Sequence, residues 1–338
     1  MATMKAVLVQ NGKGEADDMY IGDAPKPVPG PDSLLVKVKA FALNRADTLQ
    51  RRGGYPAPAG SSPIMGLELS GIVEAVGENA TSFRVGDHVF GLVGGGAYAE
   101  YCLLHYRAAI LVPPELSFVQ AAAVPEAHFT AYKALHFVCE IQSGEDVLIH
   151  AGASGVGVAA IQLAKMAGAN RIIITAGSED KLEFCKSLGA THGINYKTEN
   201  FKDKIAEITN GRGVDCIVDF VGASYWDSNV ASMAIDGRMC MLAFLGGATK
   251  ESVNLAPFLW KRLRIQGSAL RSRSLAYQIR LRDQFVEEVM PGLLDGRMKL
   301  IIDSEFPWTR IAEAHKQVYG KQYEFWQNSH YNHRLKKV

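Results

Sequence analysis

Alternation of apolar and polar side chains marks the first third of the chain. Met4, Ala6 and Leu8 alternate with Lys5, Val7 and Val9; Leu34, Val36 and Val38 alternate with Leu35, Lys37 and Lys39; Ser70–Val76 reads SGIVEAV. A period of two puts successive side chains on opposite faces of a strand, so these runs predict β-structure. Proline- and glycine-rich breakers, PKPVPGP at Pro25–Pro31 and YPAPAG at Tyr55–Gly60, separate them. An irregular β-rich region from Met4 to about Pro125 is the expectation.

From about Ile141 the rhythm changes to strand, turn, helix, repeated. VLIH leads through a glycine turn into VAAIQLAKMAG, and RIIIT into KLEFCKSLGA; then come GINY, a helix from Phe201, the strand VDCIVDF, a helix from Trp226 and MCMLAF. Near-continuous apolar strands alternating with helices predict an α/β fold with a doubly wound parallel sheet, helices on both faces. No internal repeat or low-complexity segment interrupts the pattern.

At 338 residues, 48% of them hydrophobic and 21% charged, the chain exceeds what one core usually serves, so two domains are expected. A net charge of +1 creates no field to draw the protein onto nucleic acid or an anionic membrane, which points to a small-molecule partner. No apolar run approaches the roughly 20 residues that span a bilayer, and the N-terminus begins as a strand instead of a basic-then-apolar leader. The five cysteines (Cys102, Cys139, Cys185, Cys216, Cys240) are scattered and never in C-x-x-C spacing. Reduced, packed thiols in a cytoplasmic protein fit that pattern.

Chemistry first shows at HAGASGVG, where the strand Val147–His150 meets a helix. The spacing places Gly152, Gly155 and Gly157 in a tight turn at a helix N-terminus, where free backbone N–H groups and the positive end of the dipole can meet a pyrophosphate. NAD-preferring sites carry an acid at the tip of the second strand, about 20 residues on. Here that tip is Thr175-Ala176-Gly177-Ser178, with no acid, while Ser178, Lys181 and Tyr196 are available to a 2′-phosphate. Charge complementarity therefore favours NADPH. The competing reading takes Glu179 and Asp180 as ribose partners, although acids in a first helical turn are common simply because they suit the dipole.

AGASGVG together with NRADTLQRRGGYP (Asn44–Pro56), GLELSG (Gly66–Gly71), FRVGDHV (Phe83–Val89), VPEAHFTAY (Val124–Tyr132) and SALRSR (Ser268–Arg273) resembles the zinc-independent quinone oxidoreductases of the medium-chain dehydrogenase/reductase superfamily, their zeta-crystallin-like members most of all. The likeness runs from about Met4 to Lys316. It implies a GroES-like catalytic domain from residues 1–124 and 271–338, with a Rossmann NADPH-binding domain, 125–270, inserted between. Zinc relatives hold their catalytic metal with a cysteine and a histidine in the segments matching NRADT and GLELS; here these offer Asn44, Asp47 and Glu68. A tetrahedral zinc site needs softer or imidazole ligands, and no four-cysteine lobe exists, so no metal site is expected.

Without a metal Lewis acid the substrate must accept hydride readily, as quinones do. The resemblance implies that Asn44 and Thr130 sit beside the nicotinamide ribose and ring and that Tyr55 lines the substrate side. It also assigns Ser154, Gly155 and Val156 to the pyrophosphate and Phe244, Leu245, Ala269, Leu270 and Arg271 to the nicotinamide half, and Gly177, in the acid-free tip, counts among the cofactor-binding residues. Each has a plainer alternative: Asn44 as a turn-capping amide, Tyr55 packing its own proline-rich turn, Arg271 and Arg273 as a solvated surface pair. Gly94–Gly96, with no helix after it, reads as a hairpin turn, and His150 as a packed, hydrogen-bonded residue.

Quinone reduction with NADPH is thus the expected activity. Alternatives are reduction of an enone or enal, or non-catalytic NADPH binding with a structural or RNA-binding role, against which the near-neutral charge argues. The resemblance further implies a homodimer through the late edge strand of the nucleotide sheet, around MCMLAF and RIQGSA. Relatives end in a glycine–lysine pair and a last apolar strand; this chain instead reads KQYEFWQNSHYNHRLKKV from Lys321.

Overall fold

The structure, a computed structural model, describes residues 2–320; the departing tail from Lys321 lies outside the described residues. In chain order the first elements are β1 Thr3–Val9, β2 Met19–Pro25, β3 Ser33–Phe41, α1 Arg45–Arg51, β4 Glu68–Val76, β5 His88–Leu92, β6 Tyr101–His105, β7 Ile110–Leu111 and α2 Phe118–Ala122. Then follow α3 Pro125–Tyr132, β8 Asp146–Ile149, α4 Gly155–Met166, β9 Arg171–Ala176, α5 Glu179–Leu188, β10 His192–Asn195, α6 Phe201–Ile208, β11 Val214–Asp219, α7 Trp226–Ser232, β12 Met233–Met241, α8 Ala256–Trp260 and β13 Arg264–Gly267. The chain closes through α9 Leu275–Glu288, α10 Met290–Leu294 and α11 Ile311–Gly320.

These elements pack as two units. The first takes in the chain up to Glu126, Arg271–Val286 and the described chain from Ile302 onward; the second takes in Ala127–Leu270 and Glu287–Ile301. The resemblance places the last of these stretches in the 271–338 segment of the GroES-like domain, whereas here it packs with the second unit. Gln162 ties it there: its amide accepts from the Lys299 N–H at 2.7 Å and donates to the Lys299 carbonyl at 3.1 Å.

In the first unit an antiparallel sheet runs β6-β3-β4-β5-β7, with β1 and β2 forming a separate hairpin. Its core is drawn from the inward positions of the alternating runs, with Leu34, Val36, Leu69, Val73, Val89 and Leu104 buried while Lys37 on β3 stays exposed. Gly94–Gly96 does not form the expected hairpin turn. It follows β5 and leads toward β6, and those two strands are not neighbours.

In the second unit six parallel strands run β10-β9-β8-β11-β12-β13, the doubly wound order in which direction reverses beside the first strand. Strands β8, β9 and β11 are buried almost throughout, as covering both faces requires. Where these strands begin, fully buried Asp146 accepts from Asn170 Nδ2, Arg171 Nη1 and Arg212 Nη2, each at 2.9 Å. All five cysteines are free and buried. Among the described residues no helix is long and apolar enough to cross a membrane.

Candidate functional site

Parallel strands deliver all their carboxyl ends to one edge of the sheet, and there the candidate residues of the second unit collect. Behind β8, fully buried His150 bonds Thr175 Oγ1 through Nδ1 (3.0 Å) and Asn229 Oδ1 through Nε2 (2.7 Å), so it is a packed, partnered residue. Ser154 then caps α4, its Oγ accepting the Gly157 N–H at 3.1 Å. The glycines of this turn do different work. A Cβ on Gly157 would fall 2.5 Å from the Ala151 carbonyl oxygen, so this residue lets helix and turn close. A Cβ on Gly155 would meet only Ala127, at 3.9 Å. The space over Gly155 is therefore left open by its own unit, and the Gly155 and Val156 N–H groups stand in a first helical turn where no intrahelical carbonyl can take them.

Strand β9 is followed by Gly177 and Ser178, the latter the N-cap of α5 in extended conformation. Over this turn lie Tyr196 and Lys197: a Cβ on Gly177 would come within 2.8 Å of the Tyr196 hydroxyl and 3.2 Å of Lys197 Cε. Lys181, one turn into α5, has its ammonium pushed down to about 8, first by burial and next by the like charge of Lys197. Tyr196 and Lys197 thus stand over Gly177, and Lys197 is near enough to Lys181 to act on its charge; Lys197 is a residue that the sequence does not single out. Its signal was adjacency to Tyr196 just past the third strand. Glu179 accepts from Asn195 Nδ2 at 3.3 Å.

Phe244 and Leu245, both about half exposed, follow β12. The Leu245 N–H donates to the Phe220 carbonyl at 3.0 Å, laying this loop against the end of β11. Ala269, exposed, and Leu270, buried, follow β13; Thr130 is half-buried on α3.

Asn44, Tyr55 and Arg271 belong to the first unit. Asn44 is the N-cap of α1, so the capping role holds, but its side chain is also committed: Nδ2 donates to Glu68 Oε1 at 2.6 Å, and its backbone N–H to Asp47 Oδ2 at 2.8 Å. Asp47 accepts in addition from the Gly66 N–H (3.1 Å), and Glu68 from the Glu126 N–H (2.7 Å). Both carboxylates are buried. Burial pushes Asp47 up to about 6 against the pull of its donors, and Glu68 up to about 8.

Arg271 is no solvated surface residue. It is 6% exposed, donates Nε to the Gly94 carbonyl at 2.8 Å and Nη1 to the Tyr55 carbonyl at 3.3 Å, and sets its guanidinium 5.3 Å from the Tyr55 ring. Tyr55 therefore leans on an arginine from far along the chain and not on its prolines alone. Its hydroxyl is raised above the ordinary range by burial and then by Glu126. Arg273 keeps to the surface side, 4.7 Å over the Tyr277 ring.

Residues 30–114 match the family described as alcohol dehydrogenase GroES-like domain, and residues 155–285 that described as zinc-binding dehydrogenase. A GroES-like domain joined to a Rossmann-type sheet defines a medium-chain dehydrogenase/reductase. Human quinone oxidoreductase is 31% identical over 319 residues, covering 93% of this chain and 94% of that protein. The chain belongs to the quinone oxidoreductase family. Among solved structures, an Escherichia coli quinone oxidoreductase complexed with NADPH superposes with a TM-score of 0.83 at 28% identity, over 95% of this chain and 97% of the other. The CurK enoyl reductase does so with 0.83 at 28%, over 94% and 96%. A 210-residue stretch is also 39% identical to the phthioceranic/hydroxyphthioceranic acid synthase of Mycobacterium tuberculosis; it is 62% of this chain but 10% of the synthase.

The zinc in the family description does not fit this chain. Asn44 presents an amide N–H where a ligand is needed, Asp47 and Glu68 are occupied by N–H donors, and among the described residues no group of three or more His, Cys, Asp or Glu is placed to hold a metal ion.

Proposed function

We propose that this protein is an NADPH-dependent reductase that passes hydride to a quinone. The observation that carries the cofactor half is the pair of neighbouring lysines Lys181 and Lys197, the latter standing with Tyr196 over Gly177, which suits a 2′-phosphate dianion and would be wasted on a bare ribose hydroxyl. Family membership and the NADPH complex of the E. coli relative support the same reading.

Bound NADPH would supply the hydride; the chain's own residues bind and orient. The N–H groups of Gly155 and Val156, with Ser154 at the cap, receive the pyrophosphate where the α4 dipole is positive. Asn44 and Thr130 are assigned to the nicotinamide ribose and ring, and Phe244, Leu245, Ala269 and Leu270 to the nicotinamide half. Tyr55 lines the substrate side, and Arg271 holds it there by its carbonyl and ring. Reducing a quinone consumes a hydride and a proton, and the hydride acceptor needs no metal because charge spreads into a ring becoming aromatic.

A second reading, reduction of an enone or enal with the same cofactor, is favoured by the likeness to an enoyl reductase. Steady-state rates with NADPH and an ortho-quinone, set beside an enone at equal enzyme concentration, separate the two. Turnover of the enone alone moves the assignment, and turnover of neither above background rejects both.

A cytoplasmic homodimer completes the proposal. Strand β13 is the edge of the parallel sheet, and the nearby α8 segment leaves Leu255, Leu259 and Trp260 between 69% and 78% exposed, an apolar surface that a second copy would cover.

A further inference from the structure

Glu68 is a buried carboxylate for which the proposed chemistry has no use. It is 1% exposed, sits at the first position of β4, and spends its two oxygens on two N–H donors: Oε1 on Asn44 Nδ2 at 2.6 Å and Oε2 on the Glu126 backbone at 2.7 Å. An ionised carboxylate can only accept. So the amide nitrogen of Asn44, and not its oxygen, must face Glu68, and the oxygen is turned to the first turn of α1, where the side chain caps the Asp47 N–H.

We propose that Glu68 is a positioning residue that fixes the orientation of the Asn44 carboxamide through its own protonation state. The inference rests on the reading that Asn44 contacts the nicotinamide ribose. A neutral Glu68 must carry its proton on one oxygen. Oε2 already faces the Glu126 N–H, so the proton falls on Oε1, donor against donor with Asn44 Nδ2. The Asn44 amide then turns over or lets go, and the cofactor meets the wrong edge of it.

The surroundings place this change within reach of neutral pH. Burial raises the Glu68 carboxyl to about 8, the two N–H donors pull the other way, and the carboxylates of Glu126 and Asp47 raise it further. Tyr98 also faces it, and Arg271 acts on the Asp47 side.

Glu68→Gln copies the neutral form at every pH. Its amide oxygen satisfies the Glu126 N–H, and its amide nitrogen confronts Asn44 Nδ2. The test is the dissociation constant of NADPH for the full-length protein, by fluorescence titration between pH 6.5 and 9, expressed as the ratio of variant to wild type. Titration of Lys181 and of the phosphate is common to both proteins and cancels. The ratio is expected near 1 at the acid end and about 3 to 10 at the alkaline end, the worth of one neutral hydrogen bond. A ratio that is flat across pH overturns the proposal.

In an Asn44→Ala background the same substitution should have no effect, whereas an undiminished effect shows that Glu68 acts through something other than Asn44 and also overturns it. If Glu68→Gln does not fold, Asn44→Ala against wild type carries the test: that ratio must rise with pH, and a constant one refutes the coupling. Absence of NADPH binding in wild type is a different failure, that of the cofactor reading itself.

Discussion

Replacing Lys181 with alanine tests the cofactor assignment where the structure is most specific. Lys181 lies close enough to Lys197, which with Tyr196 stands over Gly177, that burial and then the Lys197 charge hold its ammonium down to about 8. At pH 7 such a group is still about nine-tenths charged, so it meets a 2′-phosphate as a cation. One charge-assisted hydrogen bond contributes about 1.5 to 3 kcal/mol, and NADH has no phosphate to form it. Lys181→Ala should therefore weaken NADPH by about 10- to 150-fold while changing NADH little. The pH dependence has a definite sign. Phosphate stabilises the charged lysine, so binding takes up a proton once the free group has begun to lose it. The wild-type preference for NADPH should then decline above pH 8, and the variant should lack that decline. Fluorescence titration of both dinucleotides at pH 7 and 9 measures each quantity. Equal weakening of NADPH and NADH by Lys181→Ala would refute the reasoning: the lysine would then only support α5, and Glu179 and Asp180 would return as ribose partners.

Acid should loosen the first unit through His315, which is fully buried and accepts from Arg51 Nη1 on Nδ1 at 3.1 Å. Burial and then Arg51 depress it to about 3, below its unfolded value of about 6.5, so its contribution is complete above pH 6.5 and is lost as pH falls toward 3. Linkage puts the loss near 2 kcal/mol between pH 7.5 and 5; urea unfolding of His315→Phe should show a pH dependence smaller by that amount, and an unchanged one would refute the assignment. In the second unit, Asp146→Ala takes the buried acceptor from Arg171, Asn170 and Arg212, of which Arg212 keeps its two bonds to Asp215; the loss of charge-assisted bonds should cost about 1.5 to 3 kcal/mol, read as a lowered urea midpoint with ligand absent. Light scattering at micromolar concentration should give twice the chain mass for wild type and the single mass for Leu259→Glu/Trp260→Glu; a monomeric wild type disposes of the dimer.

The parallel sheet was legible because its physics is local. A strand covered on both faces must be apolar throughout, and a helix between two such strands must be amphipathic, so VLIH, RIIIT and VDCIVDF announced β8, β9 and β11 in order. The first unit was legible only as β-rich. Its order β6-β3-β4-β5-β7 depends on which strands meet across long separations, and alternation says nothing of that. The same blindness produced the error at Gly94–Gly96. Glycines between two strands suggest a hairpin when the strands pair, yet here β5 pairs with β4 and β7, and the loop instead offers the Gly94 carbonyl to Arg271, 177 positions away.

The candidate site divides along the same line. Residues whose role lies in a turn and the helix after it, Ser154 with Gly155 or Ser178 with Lys181, are visible in sequence, because capping and the helix dipole act within four residues. Residues whose role depends on tertiary neighbours are not. Nothing in NRADT says that the Asn44 amide is gripped by a carboxylate 24 positions later, and nothing in SALRSR says that one of its two arginines is buried beneath Tyr55 while the other rides on the surface. Glu68 and Asp47 entered the sequence reading only as residues unsuited to zinc. In the fold they become the two acceptors that bracket Asn44. Burying a carboxylate costs free energy that a neutral acceptor would not, and the N–H donors repay only part of it, which leaves Glu68 raised to about 8. That carboxyl lies against the one amide assigned to the nicotinamide ribose, so the effect of its protonation is to be sought in NADPH binding.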